Sequence, residues 1–166
     1  MAELNADYLA RMEDVLALYE RPYDPKEPVV CLDDKPVALH ADARPSRPAR
    51  PGHVSKRDNE YVRCGTANIF GMVEPQAGRH FTCATPNRSA AQFERMVQRL
   101  VTAYPRVRTI HLVMDNLNTH SEKALTDHFG RRPGRRLWRR LTVHYTPKDG
   151  SWLNQAEIEL SLVARQ

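Results

Sequence analysis

Two short apolar runs that each end in carboxylates constrain this chain more than any other feature. Residues 28–34, PVVCLDD, are apolar and β-branched up to Asp33 and Asp34, and residues 107–115, VRTIHLVMD, follow the same pattern up to Asp115. Runs of this length and composition predict buried strands of an α/β sheet. Side chains alternate across a strand, so Val29, Cys31 and Asp33 share one face while Val30, Leu32 and Asp34 share the other. In the second run Asp115 shares a face with Val113 and His111, opposite Ile110, Leu112 and Met114. Only one of the adjacent acids Asp33 and Asp34 can therefore face a given site. Ligand sites in open α/β sheets lie beyond the carboxyl ends of the strands, where both runs place their acids.

A third carboxylate comes from the end of the chain. A helix is expected from near Ser151, after a turn at Pro147–Gly150. At about 100° per residue, Leu153, Ala156, Leu160 and Val163 form one stripe with Glu157 at its edge, whereas Glu159 points away. Asn154 falls one turn earlier on the same side as Glu157. Three carboxylates brought together supply the hard oxygen donors that suit Mg²⁺ or Mn²⁺. Two such ions about 4 Å apart can activate an attacking water or hydroxyl and stabilise a leaving oxygen. Taken singly, each acid has a plainer reading: Asp115 as the start of the turn at 116–119, Glu157 as a solvated helix residue.

The rest of the chain fills in one α/β domain. An amphipathic helix is expected at about Asp7–Glu20, with Tyr8, Met12, Val15, Leu16 and Tyr19 on its inner face, ended by Pro22 and Pro25. Strands fit Tyr61–Val73 and Arg79–Ala84, separated by a turn at Glu74–Gly78. Ser89 is expected to cap a helix to about Ala103, with Ala90, Phe93, Val97 and Leu100 on one face. Thr119 and Glu122 have capping-box spacing for a further helix, and Leu141–Tyr145 reads as the last strand. After the N-terminal helix the order is β-β-β-α-β-α-β-α. The expected division is residues 1–27 as helix and linker and residues 28–166 as the domain.

Charge is distributed unevenly. Residues 1–34 hold nine acids against three bases, and the remainder holds 11 acids against 22 bases, for a net charge of +5 overall. A positive surface around an acidic site concentrates a polyanion. Two segments concentrate the bases. RRPGRRLWRR packs Arg131, Arg132, Arg135, Arg136, Arg139 and Arg140 around Trp138, where guanidinium groups can hold phosphates and the indole can stack on a base. Residues 43–57 read as a basic loop carrying Arg44, Arg47 and Arg50. Asn116 and His120 follow Asp115 closely enough to position a phosphate or a water, the alternative being a turn and a helix cap. His111 and His144 are expected in or near the core, and Trp152 as an anchor for the last helix. Cys31, Cys64 and Cys83 lack metal-ligand spacing and read as buried reduced thiols. With neither a signal segment nor an apolar run of about 20 residues, the expected location is cytoplasmic. No Gly-rich phosphate loop and no HExxH helix is present, which disfavours nucleotide hydrolases and zinc enzymes.

The strings HYTPKDGSWLNQAEIELS (His144–Ser161), MDNLNTH (Met114–His120) and VVCLDDKP (Val29–Pro36) resemble the catalytic domain of DDE transposases of the mariner superfamily, in the branch labelled insertion sequence 630. The resemblance runs from about Leu9 to the C-terminus and includes YVRCGTANIF (Tyr61–Phe70). It implies a ribonuclease-H-like fold, a mixed sheet flanked by helices. It also implies Asp33, Asp115 and Glu157 as catalytic metal ligands for two Mg²⁺ ions, with Mn²⁺ as substitute. The implied activity is phosphodiester cleavage and strand transfer at transposon ends, in a bacterial, nucleoid-associated setting. The implied partners are transposon-end and target DNA, an upstream helix-turn-helix frame or domain, and a second copy of the chain. Asp34 stands where the family usually has Glu, Asp149 stands where a His is common, and relatives continue past Gln166. The competing readings are a truncated DNA-binding or dimerising remnant and a ribonuclease-H-like host nuclease.

Overall fold

The computed structural model describes residues 5–45, 48–55, 59–117 and 120–163. Its elements in chain order are α1 (Ala6–Glu20), β1 (Val29–Asp42), β2 (Tyr61–Glu74), β3 (Arg79–Thr85), α2 (Ala90–Ala103), β4 (Ile110–Met114), α3 (Glu122–Phe129), α4 (Arg131–Trp138), β5 (Leu141–Tyr145) and α5 (Gln155–Val163). Short 3₁₀ turns cover Pro75–Ala77 and Ser151–Leu153. The strands form one sheet in the order β3-β2-β1-β4-β5. β1, β2 and β3 make an antiparallel meander, while β4 runs parallel to both β1 and β5.

The alternation read from the sequence divides the core. Val30, Leu32, Ile110, Leu112 and Met114 face one cluster, filled by Phe93, Met96, Val97 and Leu100 of α2 and Leu125 of α3. Val29, Cys31 and Val113 face the other, filled by Val15 and Leu18 of α1 and by Leu153 and Ala156 at the start of α5. α1 is also tied to the sheet by hydrogen bonds. Arg21 Nη1 meets His111 Nε2 at 3.0 Å, His111 Nδ1 meets His144 Nε2 at 2.9 Å, and His144 Nδ1 meets Asp14 Oδ2 at 2.7 Å. Because Arg21 can only donate and Asp14 accepts, the protons fall consistently on Nδ1 of two neutral imidazoles. Burial first, then His144 and Arg21, hold His111 below the usual histidine range, which agrees with that neutral state.

Several elements differ from the sequence reading. β1 does not stop at its acids but continues to Asp42, because β2 goes on pairing with it after β4 has stopped at the Cys31–Val113 pair. β3 pairs with β2 only as far as Asn68, so beyond that point β1 and β2 project as a two-stranded ribbon. The exposed Cys64 lies on that ribbon, and Cys83 is half-buried, so of the three cysteines Cys31 alone is buried; all three are free. On α1, Leu18 is buried whereas Leu16 is exposed. The cap of α3 is Ser121, whose hydroxyl accepts from the Ala124 amide at 3.3 Å; Thr119 lies outside the described residues. Ser89 does precede α2, though its hydroxyl makes no capping bond.

The segment 131–138 is a helix, although its Pro-Gly pair resembles a turn in the sequence. Gly130, at φ 86°, ends α3 and lets the chain restart. Pro133 sits in the first turn of α4, where its missing N–H costs no intrahelical bond. Gly134 lies against α3, where a Cβ would come 2.6 Å from the Leu125 carbonyl oxygen. The last helix begins at Gln155, later than Ser151, after one 3₁₀ turn. Among the described residues no helix is long and apolar enough to cross a membrane.

Candidate metal-binding active site

Asp33 lies two residues beyond the last parallel pair, on the face it shares with Cys31. Its Oδ1 accepts the Asp34 amide at 2.8 Å. Burial pushes the Asp33 carboxyl up to about 6, the Asp34 amide opposes the rise, and the charges of Asp115, Asp34 and Glu157 add to it. Asp115 and Glu157, distant in sequence, are thus near enough to repel Asp33. Among the described residues no three His, Cys, Asp or Glu side chains are drawn into a closed ligand cluster.

Asp115 follows β4 directly, and its half-exposed carboxylate accepts a 2.5 Å hydrogen bond from His120 Nδ1 through Oδ1. His120 is 2% exposed, stacked on Phe93 at 4.4 Å between ring centroids. Its carbonyl accepts the Tyr145 hydroxyl at 2.9 Å. With the ring so enclosed, His120 orients Asp115 and does not reach out to a substrate. Asn116 is exposed in the loop beyond Asp115.

Glu157 stands in the first turn of α5, and buried groups determine its position. Asn154 Nδ2 donates to the Leu32 carbonyl at 2.8 Å, one residue before Asp33. The other end of the same amide accepts from the Ala156 amide at 3.2 Å and caps the helix. Tyr19 of α1 donates its hydroxyl to the Leu153 carbonyl at 2.8 Å. Leu160 presses on Gly71, where a Cβ would come 3.0 Å from its side chain, and Gly71 is the register partner of Asp33. Glycine at that position lets α5 settle onto the strand that carries the acid. Glu157 Oε2 is buried with no hydrogen-bond partner. An unpartnered, buried carboxylate oxygen has the donor chemistry that a hard divalent cation takes.

Asp34 faces the opposite side of β1, where burial raises its carboxyl, Asn68, His120 and Arg88 oppose the rise, and the charge of Asp115 adds to it; its Oδ2 is also buried without a hydrogen-bond partner. Glu159 is 3.7 Å from His80 of β3.

Of the six arginines predicted to hold phosphate, Arg131, Arg132, Arg135, Arg136 and Arg139 are exposed on or just after α4. All six line a concavity of about 690 Å³. Arg135 is 3.4 Å from Glu122. Arg140 serves a different purpose: its guanidinium donates to the carbonyls of Tyr104, Pro105 and Val107, clamping the α2–β4 turn. Trp138 is partly buried against the core. In the other basic segment, Arg44 lies 3.7 Å from Glu60, Arg50 forms a two-residue bridge with His53, and Arg47 lies outside the described residues. Trp152, expected as an anchor, is 58% exposed; Leu153 beside it is the buried residue.

A five-stranded mixed sheet in which an antiparallel meander is continued by two parallel strands, with helices on both faces and acids at the central strands, is ribonuclease-H-like. Residues 28–166 match the model of the DDE superfamily endonucleases, and the chain belongs to that family. Solved structures with similar folds include the Mos1 mariner paired-end complex with manganese, at 17% identity and a TM-score of 0.51, covering 98% of this chain and 51% of that one. The Mos1 strand transfer complex matches at 18% identity and a TM-score of 0.54, covering 98% of this chain and 50% of that one. This chain therefore spans about half the length of those transposase chains. No curated protein sequence matches it significantly.

Proposed function

We propose that this chain is the catalytic domain of a DNA transposase, cutting phosphodiester bonds at transposon ends and joining the freed 3′-hydroxyl to target DNA. One observation carries the reading. In a member of the DDE endonuclease family, Asp33 is raised first by burial and then by the charges of Asp115, Asp34 and Glu157, while Glu157 keeps an unpartnered buried oxygen. Asp33, Asp115 and Glu157 are the groups that would hold two Mg²⁺ ions, or Mn²⁺ in their place. Bound there, the cations would supply Lewis acidity to the attacking and leaving oxygens of an in-line displacement.

The protein's own share is placement. His120 donates to one oxygen of Asp115 and leaves the other free to turn outward. Asn154, pinned to Leu32, sets where α5 begins and hence where Glu157 stands. The exposed arginines of α4 and the basic segment between β1 and β2 supply phosphate contacts that hold DNA without reading its sequence. End recognition is assigned to a helix-turn-helix partner frame or domain, and pairing of two ends to a second copy of the chain. The insertion sequence 630 branch, a catalytic region counted from residue 28 with α1 packed against it, and a nucleoid-associated cytoplasmic setting complete the proposal.

The test is nicking of supercoiled plasmid in Mg²⁺, together with Mn²⁺ binding followed by electron paramagnetic resonance. Asp115→Asn should abolish nicking and weaken Mn²⁺ binding while leaving DNA affinity intact, since the basic surface is unchanged. Mg²⁺-dependent nicking retained in the purified variant would overturn the role given to Asp115.

A further inference from the structure

The segment between β5 and α5 is fixed at both ends beside the acids. The Thr146 amide donates to the Met114 carbonyl at 3.0 Å, one residue before Asp115. The Asn154 side chain donates to the Leu32 carbonyl at 2.8 Å, one residue before Asp33. Trp152 lies within this short span, two residues from Asn154, so their Cα atoms are at most about 7 Å apart. Its backbone is held by successive tight turns: Gly150 N to Pro147 O at 3.0 Å, Leu153 N to Gly150 O at 3.1 Å and Asn154 N to Ser151 O at 2.8 Å. Gly150 is required there, since a Cβ would lie 2.5 Å from Pro147 Cγ. Leu153 is 3% exposed and anchors the turn, leaving the adjacent indole 58% exposed. The result is a solvent-exposed indole on a turn whose two ends are hydrogen-bonded one residue before Asp115 and one residue before Asp33.

An exposed tryptophan contributes nothing to this core, and the sequence offers no helical stripe that would bury it. The exposed Lys148 belongs to the same turn, and the remainder of the chain beyond Asp34 is strongly basic. Trp138, the other tryptophan, is committed to the core. A flat π-surface beside groups suited to phosphodiester chemistry matches an unpaired nucleobase, because every base has a face to stack and none is exposed within an intact duplex. We propose that Trp152 is a stacking platform for an unpaired base next to the scissile phosphate, so that the chain prefers DNA with a frayed, flipped or single-stranded nucleotide at the cutting point. This rests on the DNA-cutting reading above and adds to it the kind of DNA end the site accepts.

The experiment measures fluorescence anisotropy of labelled oligonucleotides with the full chain, without divalent cations. The probes are a blunt duplex, the same duplex with a short thymine overhang, and that overhang made abasic. The parent protein should bind the thymine overhang more tightly than the other two. Trp152→Ala should lose about tenfold in affinity for the overhang alone, and Trp152→Tyr should recover most of it. Unfolding temperatures should match, since the side chain is exposed. Equal overhang binding by Trp152→Ala, or equal binding of abasic and thymine overhangs, would overturn the proposal while duplex binding keeps the DNA reading alive. Loss of self-association in Trp152→Ala, with overhang affinity unchanged, would make the residue a protein contact and also overturn it. Failure of the parent to bind any of the three DNAs would remove the reading on which it rests.

Discussion

Replacing Asp33 by Asn should make the metal-free protein more stable at neutral pH, although it removes a proposed catalytic ligand. The folded protein raises the Asp33 carboxyl from 3.8 to about 6, chiefly through burial and then through Asp115, Asp34 and Glu157. At about 1.4 kcal/mol per pH unit, ionising it in the folded state costs on the order of 3 kcal/mol. Partial exposure and relaxation reduce this to about 1–3 kcal/mol. The folded state binds this proton more tightly than the unfolded state does. The penalty is therefore absent below the unfolded value of about 4, grows as pH rises towards 6, and is complete above it. Asn retains an Oδ1 for the Asp34 amide, which donates at 2.8 Å, so the substitution removes the charge and keeps the bond. In thermal unfolding with EDTA, Asp33→Asn should melt about 2–12 °C above the parent at about pH 7.5, a domain of this size gaining about 2–4 °C per kcal/mol. At about pH 4 the gain should largely vanish, because the parent carboxyl is then protonated in the folded state. Saturating Mg²⁺ should stabilise the parent more than the variant and narrow the gap. No gain at neutral pH, or an equal gain at acid pH, would refute the raised Asp33 carboxyl from which the penalty is worked.

Three other variants probe the arginine surface and the helix that carries it. Neutralising Arg131, Arg132, Arg136 and Arg139 should lower the magnitude of the log-log salt slope for duplex binding by about 0.9 per lost phosphate contact, as read from titrations at several salt concentrations. Arg140→Ala, by contrast, should lower the unfolding midpoint in urea and leave that slope nearly unchanged, because its guanidinium holds the α2–β4 turn; a reversed outcome would mean the two roles are misassigned. Gly134→Ala should destabilise the protein by about 1–3 kcal/mol, because the new Cβ would lie 2.6 Å from the Leu125 carbonyl oxygen; urea unfolding unchanged from the parent would show that α3 and α4 separate freely.

The sequence was most legible where a single period governs an element. The two-residue alternation around Asp33 and Asp115 matches the division of Val30 and Leu32 from Val29 and Cys31 between the two cores. The helical period set Glu157 at the edge of a stripe whose Leu153, Ala156 and Leu160 are buried, with Glu159 turned away. Legibility ended where long-range contacts override local signals. The length of β1 depends on its partner β2, 19 or more residues away in the chain at the pairs concerned, so its run past Asp34 left no mark in its own apolar pattern. α4 forms across a Pro-Gly pair because Gly134 packs on α3, a contact invisible to a local turn signal. Trp152 and Leu153 are adjacent and both apolar; which one enters the core depends on the phase of a 3₁₀ turn, not of an α-helix.

The family match begins at residue 28, but the physical unit begins earlier. Val15 and Leu18 of α1 share a core with Leu153 and Ala156, and the Tyr19 hydroxyl holds the carbonyl of Leu153 directly before the Asn154 cap. The helix that bears Glu157 is thus seated partly on a segment outside the family match. A cut at residue 28 would keep all three acids and discard packing that seats one of them, so the edge of the family match and the edge of the packed unit fall at different places in this chain.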